Sequence, residues 1–181
     1  MLLDAAHCSL LIVDIQERLL PAMDEGQRVI ARTQILMKAA EALSLPITIS
    51  EQYPKGLGKT VGEISVAGAV VFEKLHFSCW RDPELKKHFI DLHEHERPLI
   101  IIAGIEAHVC VLQSAVDLYN AGFGVFVVAD ASSSRESRSA ALAFDRLRQV
   151  GIQIINTEMA LFELMGRAGT PEFKSLSALI R

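Results

Sequence analysis

The chain has 181 residues, half of them hydrophobic and 22% charged, with a formal net charge of −4; that is the composition of one globular domain with a sizeable core. The acidic balance and the lack of a basic run argue against a general nucleic-acid or anionic-membrane binder. Three cysteines, Cys8, Cys79 and Cys110, form no CxxC pair, and an odd count fits free thiols in a reducing compartment, so a cytoplasmic protein is expected.

The first apolar run, Leu10–Val13 within a strand-like stretch Leu10–Ile15, is far too short to span a bilayer, lacks a basic flank and runs straight into Asp14, Gln16, Glu17 and Arg18. Five more short runs follow: Ile47–Ser50, Val70–Glu73, Leu99–Ala103, Val125–Ala129 and Ile152–Ile155. Their near-continuous Val, Ile and Leu content predicts strands buried on both faces of a parallel sheet. Between them, Gln27–Leu43 carries apolar residues at helical spacing. Asp82-Pro83 reads as a cap and first-turn proline opening a helix to about Leu92. The pattern over Val109–Ala121 predicts a helix stopped by Gly122. Ser133-x-x-Glu136 resembles a capping box ahead of a helix over Ser137–Val150, which Gly151 ends. Strand and helix thus alternate about six times through one domain, residues 1–181, which predicts a doubly wound α/β sandwich.

Ligands in such sheets bind beyond the carboxyl ends of the strands, where strand order reverses. That rule selects Asp14 and Gln16, Gln52 and Tyr53, Lys74 through Trp80, and Gly104–Cys110. Cys110 falls at the predicted start of a helix, where free amides and the helix dipole lower a thiol pKa and can hold an oxyanion. The competing reading is a buried small hydrophobe. Asp14 interrupts an apolar strand, a costly place for a carboxylate unless it has a partner or faces a cleft; its plainer role is capping a loop. Lys74 ends another apolar strand and could equally be a surface cation with a snorkelling stem. Taken together, the three form a set in which the aspartate accepts the thiol proton, the lysine stabilises anions and the cysteine attacks.

Other motifs are weaker. Gly56-Leu57-Gly58-Lys59-Thr60 imitates a phosphate loop but has Tyr53 where the first glycine is needed, and reads as a flexible loop gating substrate. His93-Glu94-His95-Glu96 reads as a solvated turn rather than a metal site. No GxSxG elbow is present.

Three segments in order, Leu11-Ile12-Val13-Asp14-Ile15-Gln16, Glu73-Lys74-Leu75-His76-Phe77-Ser78 and Gly104-Ile105-Glu106-Ala107-His108-Val109-Cys110-Val111, resemble the signatures of the isochorismatase-like cysteine hydrolase superfamily. The stretches Glu51–Gly58 and Asp130–Arg135 are most similar to its isochorismatase domain-containing and YcaC-related branches. The resemblance covers nearly the whole chain. It implies a Rossmann-like three-layer α/β/α sandwich with a six-stranded, mainly parallel sheet. Asp14 is implied as proton acceptor, Lys74 as electrostatic partner and Cys110 as nucleophile. A cis Ile105–Glu106 peptide is implied as well, with an oxyanion hole from the amides of Glu106 and Cys110. Gln16, Gln52, Tyr53, Phe77, Trp80 and His108 become expected substrate-binding residues.

Nicotinamidases of the superfamily carry an Asp-x-His metal cluster after the second strand; here the stretch reads Ser50-Glu51-Gln52-Tyr53, so no metal and no other cofactor is expected. True isochorismatases often lack the cysteine, so Cys110 favours acyl transfer over vinyl-ether cleavage. The reading is therefore a metal-independent hydrolase of a small amide or related C–N bond. The alternatives are an ether hydrolase or a catalytically idle scaffold. Expected partners are a small-molecule substrate and further copies of the chain, through the apolar segment Leu176–Ile180, with no nucleic acid and no membrane.

Overall fold

The computed structural model describes residues 1–180. Six strands form one sheet: β1 (Cys8–Val13), β2 (Ile47–Gln52), β3 (Ala69–Lys74), β4 (Leu99–Ile105), β5 (Gly124–Ser133) and β6 (Gln153–Ile155). Their order is β3-β2-β1-β4-β5-β6, and all five pairings are parallel. The chain builds one half outward from β1 and then returns to the other side of β1 with β4. The switch point thus lies between the carboxyl ends of β1 and β4.

Among the described residues there are seven α-helices: α1 (Gly26–Ala42), α2 (Pro54–Leu57), α3 (Pro83–Glu94), α4 (Leu112–Asn120), α5 (Ser137–Val150), α6 (Thr157–Met165) and α7 (Pro171–Ser177). Period-two alternation along the strands divides the interior into two cores. Leu10, Ile12, Ile101, Phe126 and Val128 pack under α1, α6 and α7, whereas Leu11, Val13, Ile100, Ile102 and Val127 pack under α3, α4 and α5. Central strands buried on both faces explain the unbroken apolar runs of β1 and β4.

Local chemistry sets several boundaries. Asp82 caps α3 through the amides of Glu84 and Leu85, with Pro83 in the first turn. Gly151 ends α5 at φ 101°, in the left-handed region that a glycine occupies without penalty. Gly104, at φ 131°, lies so close to β1 that an added Cβ would sit 2.1 Å from the Val13 carbonyl oxygen. No side chain fits at that crossing.

Three expectations need correction. Ser133 does not cap α5: it belongs to β5, and its hydroxyl donates to the carbonyl of Asp24, while Glu136 occupies the cap position without a side-chain bond. The expected helix over Val109–Ala121 is two pieces, a π-helical turn over Ala107–Val111 followed by α4. The carboxyl-terminal segment packs on its own core, with Leu176 buried and Leu179 and Ile180 half-buried beside it, so it offers no free apolar face.

Candidate active site

Asp14 is the first residue beyond β1 and turns the chain with φ 53°. Its carboxylate is fully buried. Oδ1 accepts the Ser50 hydroxyl at 2.7 Å, and Oδ2 accepts Lys74 Nζ at 2.7 Å. Cys110 lies beside the same carboxylate, close enough for its charge to raise the thiol pKa. Three strand ends and one turn therefore converge on a single group.

Lys74, the last residue of β3, is 2% exposed; the surface-cation reading fails. Its ammonium protons meet three acceptors: Asp14 Oδ2, Gln52 Oε1 at 2.7 Å and the Phe77 carbonyl at 3.3 Å. Burial alone would lower its pKa, but the Asp14 carboxylate beside it outweighs burial and raises it. With every donor committed, Lys74 is a fixed positive charge rather than a proton donor. Burial pushes the Asp14 pKa up, opposed by the Lys74 charge and by hydrogen bonds from Lys74 and Ser50. Asp14 is accordingly a better base than a surface carboxylate.

Cys110 departs from expectation. Its position predicts a lowered pKa, yet burial and then the Asp14 charge push it well above the ordinary thiol value, against the pull of Lys74. The cause is visible in the local structure. The residue lies within a π-helical turn, is 5% exposed and faces an anion. Burial and the facing carboxylate both favour the protonated thiol. The Ile105–Glu106 peptide that leads into the turn is cis.

The expected pocket residues divide. Gln16 is fully buried; its amide donates to the carbonyls of Gln52 at 3.0 Å and Gly58 at 2.7 Å and accepts the Gln52 amide at 2.7 Å. Both of its amide protons are thus spent on tying β2 to the loop that follows it. Gln52 likewise holds Lys74 with its oxygen and donates to the Leu75 carbonyl at 2.9 Å. Tyr53 and Phe77 are about half exposed beyond β2 and β3. Trp80 packs edge-on against Phe123, with Lys86 over its ring, and faces the core rather than the cluster. His108 is held by Ser134 at 2.9 Å and stands 3.8 Å from the Glu106 carboxylate.

The Gly56–Thr60 loop is fastened rather than flexible. Glu51 accepts both the amide and the hydroxyl of Thr60, Lys59 bridges Glu51 and Glu73, and Gln16 pairs with Thr60. The Glu51 carboxylate is thereby committed to structure. His95 and its neighbours in the His93–Glu96 stretch are solvent-exposed.

Two residues escaped the sequence reading. Ser50, buried in β2 opposite Val13, orients Asp14. Ser114 accepts the Cys79 amide at 2.8 Å and seats that buried thiol beside Lys74. A small polar residue inside an apolar strand was the available signal for Ser50.

The architecture and the cluster define a Rossmann-like α/β protein with a buried, fully hydrogen-bonded carboxylate–ammonium pair and a thiol at its switch point. Residues 8–159 match the family model described as Isochorismatase domain, and the chain belongs to the isochorismatase family of hydrolases. It is 40% identical over 181 residues to the secreted isochorismatase effector Isc1 of Phytophthora sojae, covering 97% of this chain and 85% of that protein. It is 39% identical over 169 residues to isochorismatase domain-containing protein 1 of Danio rerio, covering 93% of this chain but only 59% of the relative's length. Among solved structures, the MAR1 ribonuclease of Caenorhabditis elegans superposes with a TM-score of 0.90 at 33% identity, covering 99% of this chain and 92% of that one. Among the described residues, no helix is long and apolar enough to cross a membrane.

Proposed function

We propose that the protein hydrolyses a small amide or related C–N bond through a thioester on Cys110, without a metal. The observation that carries this reading is the shared carboxylate: Lys74 lies 2.7 Å from Asp14 Oδ2, and the buried Cys110 thiol lies near enough to the same group for its charge to raise the thiol pKa. As the sulfur attacks the carbonyl carbon, its proton passes to Asp14, so no free thiolate has to exist beforehand. The amides of Glu106 and Cys110 hold the developing oxyanion. Collapse of the adduct breaks the C–N bond, and the leaving amine takes the proton from Asp14. Water then loses a proton to Asp14 and attacks the thioester. Expulsion of the sulfur, which recovers that proton, frees the acid. Throughout, Lys74 keeps the site neutral while the proton is away.

Ammonia release across a panel of small amides, with Cys110→Ala as control, tests the reading. Turnover that is lost in Cys110→Ala supports it. Cleavage of an enol ether without ammonia would favour the ether hydrolase, nucleotide release from RNA would point to the activity named for the worm protein, and inertness towards all of these would favour the scaffold.

Free buried thiols at Cys8, Cys79 and Cys110 support a reducing, cytoplasmic setting. Exposed Val70 and Val71 on edge strand β3, with Leu75 and Phe77 beyond it, support assembly of several copies, which light scattering would measure.

A further inference from the structure

We propose that Cys79 and Cys110 are a peroxide-sensitive pair: a hydroperoxide joins the two thiols as a disulfide that shuts the site, and a dithiol reopens it. The proposal rests on Cys110 as the reactive sulfur and gives Cys79, idle in the hydrolytic cycle, a task. Cys79 is fully buried in the short turn Cys79–Arg81 after β3, and its amide donates to Ser114 Oγ at 2.8 Å. Ser114 follows Cys110 by four residues, on the helix that continues from the Cys110 turn. That spacing puts the two side chains on one face, a turn apart. The chain also approaches Cys79 past the reacting groups. The Phe77 carbonyl, two residues before Cys79, accepts Lys74 Nζ at 3.3 Å, which holds this segment against the Lys74–Asp14 pair.

Both sulfurs belong to the same apolar core, and the Lys74 ammonium is close enough to pull on both thiols. Cys110 stands one helical turn, about 5.4 Å, from the residue that holds Cys79, comparable with the ~5.5–6 Å between Cα atoms of an ordinary disulfide. Cys8 shares neither feature: it opens β1 in the other core, about 20 Å of strand before Asp14. The chemistry uses the same base as hydrolysis. As Cys110 attacks the hydroperoxide, its proton passes to Asp14, the O–O bond breaks, and the departing oxygen takes that proton to leave as an alcohol or, from hydrogen peroxide, as water. Cys110 is left as a sulfenic acid. The Cys79 sulfur then attacks the Cys110 sulfur, the S–O bond breaks, and the hydroxyl leaves with the Cys79 proton as water. Two thiols have given two electrons to one hydroperoxide. The nucleophile is capped, and it is held short of the irreversible sulfinic acid.

Peptide mapping without reductant reads the pair directly, after hydrogen peroxide and then blocking of free thiols with N-ethylmaleimide in urea. The parent protein should give one linked species, Cys79 to Cys110, with Cys8 blocked as a free thiol. Dithiothreitol should then restore iodoacetamide labelling of Cys110 about tenfold better in the parent than in Cys79→Ala, where the sulfenic acid has no partner and runs on to sulfinic acid. Cys79→Ser is the second variant, and the parent map decides alone if neither folds. Sulfinic acid on Cys110 of the parent beside a free Cys79, or a link through Cys8, overturns the proposal. Iodoacetamide labelling of the reduced parent separates this proposal from the one it rests on. A Cys110 that is labelled but never links to Cys79 refutes the pair and leaves the nucleophile standing. An unlabelled Cys110 refutes the nucleophile. Diamide, which oxidises thiols without peroxide, then judges the pair: the linked peptide supports it, and its absence refutes it.

Discussion

Replacing Lys74 with methionine keeps most of the side-chain volume and removes the charge. Asp14 would then be a carboxylate with no exposed surface and no counter-ion, since both side chains of the pair are 0% exposed. Breaking a buried pair from one side costs about 3–5 kcal/mol. In a chain of this length that lowers Tm by roughly 6–20 °C, at about 2–4 °C per kcal/mol. The carboxylate can escape the penalty by taking up a proton. Its folded-state pKa, already raised by burial, would rise further, so the loss should shrink as pH falls through that pKa. A protonated Asp14 no longer accepts the Cys110 proton, so alkylation by iodoacetamide should slow in the same variant. Asp14→Asn combined with Lys74→Met removes both charges and should be less destabilised than the sum of the single changes, with a coupling of about 2 kcal/mol or more in urea unfolding. Additive single changes, within about 0.5 kcal/mol, would refute the argument that these two charges support each other.

Alkaline pH should destabilise the fold through its thiols. Burial raises Cys8 to about 11 and pushes Cys79 and Cys110 upward too, from an ordinary value of 9.0. The folded state therefore keeps protons that the unfolded chain releases above pH 9, and stability should fall as pH rises from there; in reducing urea titrations Cys8→Ala should flatten that slope by about one proton. Gly104→Ala places a Cβ 2.1 Å from the Val13 carbonyl at φ 131°, and should cost more than about 4 kcal/mol or abolish soluble expression. Asp82→Ala removes the α3 cap and should cost about 1 kcal/mol in urea unfolding while leaving Cys110 labelling as it was. Exhaustive chelation should leave amide turnover intact, and loss restored by one added divalent metal would contradict the metal-free step.

The cluster residues were legible because each breaks an apolar run at a strand end, where burial of a charge requires a partner. Asp14 and Lys74 stand out for that reason, and their 2.7 Å contact is the partner. What each group does with its protons was hidden. Gln16 and Gln52 looked like pocket residues since they follow strands, but only the three-dimensional register shows them bonded to each other and to Lys74. A one-dimensional pattern cannot distinguish a regular helix start from a π-helical turn, nor see the carboxylate that faces Cys110, so the thiol environment is not legible in it. Ser133 shows the limit of a spacing rule: the capping motif is present, but β5 runs through it. The tie that fastens the long loop after β2, Glu51 to Thr60 and Lys59, joins residues with no periodic signal between them, so the sequence pattern does not reveal it.

The central claim is a covalent intermediate on one sulfur. Intact-mass and peptide analysis of the protein quenched during turnover of an amide substrate should find an acyl group on Cys110 that hydroxylamine removes, and none in Cys110→Ser. Sustained ammonia release by Cys110→Ser, with no adduct on any cysteine of the parent protein, would contradict it.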